Sequence, residues 1–135
     1  MKLDVGMYVR TKNHNGFPGG IGKIEKIEDD ETHKTSWITL DRSLDGRSFL
    51  VMKQEIVKAS HTLLGNDKEP CLIEAGDYVN GNKVIEIEKN YKFIDGTIRD
   101  ILWTDTKMQK AIWDETIKSI VTKEQFESIK YSLEG

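Results

Sequence analysis

The chain has 135 residues, enough for one ordinary domain or two very small ones. Its 20 Lys and Arg stand against 23 Asp and Glu, a net charge of -3, which disfavours a protein that holds nucleic acid by charge alone. The single cysteine, Cys71, excludes an intrachain disulfide framework and points to a reducing compartment.

From the N-terminus, Met1-Lys2-Leu3-Asp4-Val5-Gly6 lacks the apolar stretch of a signal peptide, so a cytoplasmic protein is expected. Short β-type segments follow, separated by turn signals. In the first half they are Met7–Arg10, Gly22–Glu28, Ser36–Leu40 and Ser48–Met52. In the second half they are Asp77–Val79, Lys83–Glu88, Thr97–Trp103 and Ile117–Val121. The turn signals are Asn15-Gly16, Asp45-Gly46, Asn80-Gly81 and Asp95-Gly96, pairs that tolerate the positive φ of tight hairpins. Phe49-Leu50-Val51-Met52 is the longest core-like run, far short of a membrane span, and no membrane partner is expected.

An internal repeat organises these segments. Val5-Gly6-Met7-Tyr8-Val9 matches Ala75-Gly76-Asp77-Tyr78-Val79, and Lys23–Glu28 matches Lys83–Glu88. Glu55–Ala59 matches Glu115–Ser119. The first copy carries extra residues in the Lys12–Gly20 loop. Within the second segment of each copy the apolar residues are three apart: Ile24 and Ile27, Val84 and Ile87. That spacing breaks strand alternation, and a bulge would return both residues to one side. A helix over Ile21–Glu28 is the competing reading; the flanking glycines favour the strand.

The expected fold is all-β: two tandem SH3-like small barrels, residues 1–60 and 71–135, joined by a polar linker at 61–70. One continuous sandwich with the repeats as its two sheets is the alternative. Thr122-Lys123-Glu124-Gln125 fits a capping box. It predicts a single helical turn over Lys123–Glu127, followed by a last strand at Ile129–Leu133.

Three stretches, Leu3–Lys12, Leu72–Gly81 and Lys118–Glu127, resemble a group of uncharacterised phage and prophage proteins of Gram-positive bacteria. The resemblance implies a viral accessory origin and carries over no catalytic or binding residue. Val9 through Ile24 also resembles the KOW type of SH3-like barrel, whose members often contact RNA or ribosomal and transcription partners. The segment Gly16-Phe17-Pro18-Gly19-Gly20-Ile21-Gly22-Lys23-Ile24 carries that likeness, although its final glycine comes one residue early.

The residues offer little catalytic chemistry. The glycine-rich loop fails as a P-loop, because five residues separate Gly16 from Gly22 and Ile24 follows Lys23 where Ser or Thr would bind magnesium. His14, His33 and His61 are isolated, and no metal-ligand spacing occurs. Cys71, beside Leu72-Ile73, reads as a small buried residue without a base to activate it. Asp29-Asp30-Glu31 reads as a solvated hairpin end. Trp37, Trp103 and Trp113 suit core or inter-module packing better than a partner site.

A non-enzymatic module without a cofactor is therefore expected, recognising a host or phage protein in the host cytoplasm. An inhibitor of a host defence protein, in the manner of anti-CRISPR proteins, is one form of it. A KOW-like nucleic-acid-binding module and a virion or scaffold component are the alternatives. The expected contact set lies around the glycine-rich loop: Arg10, Lys12, Asn15, Gly16, Phe17, Lys23, Arg42 and Arg47.

Overall fold

A computed structural model describes residues 2–13, 18–32, 34–42, 47–105 and 116–134. The first half forms strands β1 (Tyr8–Thr11), β2 (Ile21–Asp30), β3 (Thr35–Arg42), β4 (Arg47–Met52) and β5 (Ile56–Ser60), with a 3-10 turn at Lys53–Glu55 before the last. The second half forms β6 (Tyr78–Val79), β7 (Asn82–Lys92), β8 (Ile98–Thr104), β9 (Ile120–Val121) and helix α1 (Lys123–Glu134). The protein is thus mostly β, in two antiparallel sheets with orders β4-β3-β2-β1-β5 and β8-β7-β6-β9. Neither order closes into a barrel among the described residues.

The repeat is visible in the hydrogen bonds. Gly6 N donates to Ile24 O at 2.9 Å and Ile24 N to Met7 O at 2.8 Å. In the second copy Gly76 N donates to Val84 O at 2.8 Å and Val84 N to Asp77 O at 2.7 Å. Both glycines have positive φ, +94° and +100°, where a side chain would be strained. Each copy sets its first strand between its second and its last, so β6, β7, β8 and β9 correspond to β1, β2, β3 and β5.

The three-residue spacing does mark a bulge in both copies. Register shifts fall between Ile24 and Lys26 against β3, and between Val84 and Glu86 against β8. Beyond each bulge Ile27 and Ile87 pack against the buried core that Ile24 and Val84 begin. The third sequence match needs a one-residue correction. Val9 pairs with Ala59, whereas Val79 pairs with Ile120, so buried Ile56 corresponds to buried Ile117 rather than to Thr116. A burial match outweighs an identity match here, because the inward-facing side chain sets register.

Two further expectations are corrected. The C-terminal segment is one helix through Glu134, not a turn followed by a strand at Ile129–Leu133. The capping box did predict where it starts, since Thr122 N donates to Gln125 Oε1 at 2.8 Å and Gln125 N to Thr122 Oγ at 3.2 Å. Once capped, the run Lys123–Glu134 contains neither Pro nor Gly to stop it. Residues 61–70 connect the sheets but are no solvated tether: Leu63 and Leu64 are buried.

Among the described residues there are two apolar clusters. Met7, Val9, Ile24, Ile38, Leu40, Val51 and Ile56 fill the first. The second contains Leu63, Leu64, Cys71, Leu72, Ile73, Val79, Val84, Leu102, Ile117 and Ile120, together with Ile21 from β2, and Tyr8 from β1 packs against it. Strand alternation explains the crossing. Met7 and Val9 face the first core, while Tyr8, Arg10 and the Ile21 paired with Arg10 face the second half.

Candidate interaction surfaces

Arg10, expected as a surface contact, is 2% exposed and lies between the halves. Its Nη1 donates to Asp77 Oδ2 at 2.6 Å and to Leu72 O at 3.0 Å. Its Nη2 donates to Asp77 Oδ1 at 3.0 Å and to Glu124 Oε2 at 2.9 Å, and Nε lies 3.4 Å from Glu74 Oε2. The planar fork thus faces three carboxylates and a carbonyl, which suits a buried guanidinium. Burial alone would lower the Arg10 pKa; the bond to Asp77 and the charges of Asp77, Glu124 and Glu74 outweigh it and raise it.

Asp77 is the core-facing counterpart of Met7 and is fully buried. Besides Arg10 it accepts from Glu74 N at 2.7 Å and from Lys123 N, in the first turn of α1, at 2.8 Å. A carboxylate there also complements the helix dipole. Glu74 holds Lys123 Nζ at 2.8 Å and Lys58 Nζ at 3.3 Å. Burial works against its ionised form, but Lys123, Arg10 and Lys58 hold its carboxyl below the usual range. Thr122 Oγ donates to Gly19 O at 2.6 Å, so the helix cap also anchors the end of the Lys12–Gly20 loop. This network is a structural joint, with Arg10 and Asp77 sealed at its centre and Lys58, Glu74, Lys123 and Glu124 partly exposed at its rim.

Of the remaining expected contacts, four fall among the described residues. Lys12 is exposed, and its backbone N donates to Glu55 O at 2.9 Å. Lys23 is exposed with its ammonium 5.8 Å from the Tyr8 ring centroid. Arg42 and Arg47 are backbone partners at the ends of β3 and β4. Asn15, Gly16 and Phe17 lie outside the described residues, as do His14, His33, Trp113 and the Asp45-Gly46 turn. Cys71 is buried as expected, and burial pushes its thiol pKa up.

The feature that sequence reasoning missed is the tip of the β7–β8 hairpin. Ile94 is fully exposed, at 109%, and Tyr91 is 41% exposed. The Tyr91 and Phe93 rings meet edge to face with centroids 4.9 Å apart. The turn beneath them is well bonded. Phe93 N donates to Thr97 O at 2.8 Å, Gly96 N to Phe93 O at 2.9 Å, and Asp95 Oδ1 accepts from Thr97 N at 2.9 Å and Thr97 Oγ at 2.6 Å. Those Thr97 bonds, with Arg99 nearby, lower the Asp95 pKa. At the base, Asn90 adopts positive φ in a second bulge, and buried Asp100 accepts from Asn90 N at 2.9 Å and from Lys89 Nζ at 3.4 Å. A cleft of about 500 Å³ separates Gly96–Arg99 from the connecting segment around Lys68. The available signal was Tyr91, Phe93 and Ile94 running directly into an Asp-Gly turn, where apolar side chains have no core to enter.

The corresponding β2–β3 hairpin ends in Asp29, Asp30 and Glu31. Asp29 accepts from Ser36 Oγ at 2.7 Å and Asp30 from Trp37 Nε1 at 3.1 Å. Beside this end a recess of about 760 Å³ opens between the hairpin and the 3-10 turn.

Among the described residues no group of three His, Cys, Asp or Glu is placed to hold a metal, and no helix is long and apolar enough to cross a membrane. No protein-family model matches the chain, and neither a curated protein nor a solved structure shows significant similarity to it.

Proposed function

We propose that the chain is a non-enzymatic protein-binding module on two SH3-like barrels, phage-derived as the resemblance of its segments implies, acting in the host cytoplasm. The barrel reading draws support from the shared strand order and from the bulge that bends the second strand of each copy.

The observation that carries the binding reading is the divergence of the two hairpin ends. At the same place in the repeat, one copy has Asp29-Asp30-Glu31 and the other Lys89-Asn90-Tyr91-Lys92-Phe93-Ile94. The first copy makes its hairpin without apolar side chains at the end, so the architecture does not require Ile94 in water. Exposed apolar groups held on a rigid hairpin suit a partner's recess, and aromatic anchors commonly dominate such contacts. An inhibitor of a host defence protein is one protein that would work this way. The nucleic-acid alternative has less support, because Arg10, one of its expected basic contacts, is buried and engaged by three carboxylates.

Affinity capture from host lysate with the wild type and with Ile94→Asp tests the proposal. A protein retained by the wild type and lost by a folded variant is expected. Equal capture by both, or capture of nothing above background by a wild type that also fails to self-associate, overturns it.

A further inference from the structure

We infer that the β7–β8 tip of one copy seats in the recess beside the β2–β3 hairpin of a second copy, so that the protein assembles head to tail. This rests on reading the tip as a protein-binding element, and it names the partner. Three observations converge. The tip places Ile94 wholly in solvent beside the Tyr91–Phe93 pair. The recess, about 760 Å³, is of a size that accommodates a small group of side chains, and Ile56 is among the residues that line it.

The charges are opposite in sign. Around the tip, Lys89, Lys92 and Arg99 outnumber Asp95 and Asp100. Around the recess, Asp29, Asp30 and Glu31 outnumber Lys34 and Lys53. Opposed rims fix orientation and disfavour tip-to-tip contact, where lysines would meet lysines. Because tip and recess are different surfaces, the contact is heterologous and each added copy leaves one of each free. The area is small, so assembly is weak and rises with concentration.

Sedimentation of the full chain over a wide concentration range tests this. The average mass should climb with concentration at low salt and fall as salt is added. Ile94→Asp should weaken association roughly ten- to a hundredfold. Lys92→Glu and Glu31→Lys, each alone, should also hold the protein near monomer. Mixed together, they retain one sound tip and one sound recess between them, so the mixture should stop at dimers. A wild type that stays monomeric throughout, or association that Ile94→Asp leaves intact, overturns the inference. A monomer whose tip still captures a different protein would sink self-assembly alone; loss of both would sink the binding reading with it.

Discussion

Arg10 and Asp77 stand 67 residues apart in the chain and form a two-point ion pair in the interior, at 2.6 and 3.0 Å. One comes from the first strand of the first copy, the other from the Gly-led turn of the second. The joint between the halves is therefore polar at its centre and apolar at its flank, where Ile21 and Tyr8 reach the second core.

Breaking this pair on one side should be costly. Asp77→Ala takes from the buried guanidinium its one fully buried carboxylate, leaving it Glu124 and Glu74, and frees the amides of Glu74 and Lys123, so a loss of about 3 kcal/mol is expected. Replacing both partners, Arg10→Met with Asp77→Leu, should recover a good part of that loss. Urea unfolding of the single and double variants measures the difference.

The acid response should track Glu74 and Glu69. Glu74 is lowered by Lys123, Arg10 and Lys58 against its burial, and Glu69 chiefly by its bond to His61. A carboxyl depressed by folding contributes stability above its unfolded pKa and loses it as pH falls through the folded one. The loss should begin below the ordinary value of 4.5. Thermal melts against pH should show a shallower acid limb for Glu74→Gln than for the wild type.

Thr122 joins two tasks, capping α1 and holding Gly19 O. Thr122→Val keeps the shape and removes the oxygen, so a loss of about 1–3 kcal/mol is expected. Hydrogen exchange should quicken at the first turn of α1 and, 103 residues away, around Gly19.

Neither half should fold alone. Residues 1–60 without the rest leave Arg10, Tyr8 and Ile21 uncovered, and a unit of about that size is marginal to begin with. Amide NMR spectra of the separate halves should show poor dispersion, and mixing them should restore it at least in part.

Ile94→Asp, by contrast, should leave stability within about 0.5 kcal/mol, since the side chain touches no core. Its melting curve serves as the control for every binding measurement at the tip.

Much of the local architecture was legible. Asn80-Gly81 forms its tight turn with φ of +51° and +82°, and the bulges lie at the three-residue spacings. The start of α1 follows from Thr122 and Gln125. These features depend on neighbouring residues, whose steric and hydrogen-bonding preferences travel with the chain. The helix end did not follow, because Ile129–Leu133 suits a strand and a helix alike when read alone.

Arg10 marks the limit more sharply. A basic residue beside a strand reads as surface in any local window. Its burial depends on Asp77, Glu124 and Glu74, which only the docking of one half on the other brings to it. Likewise Asp29 and Lys89 occupy matching places whose contrast has no meaning until the two hairpins are superposed in the repeat.

By itself, then, the sequence determined most of the strands, the bulges, the Asn80-Gly81 and Asp95-Gly96 turns and the helix cap, all set by short-range sterics and bonding, but not β5 or the helix that replaces a last strand. The tertiary structure alone decided which charges are sealed in the joint and which apolar side chains are left in water, because burial is a property of what packs against a residue and not of the residue.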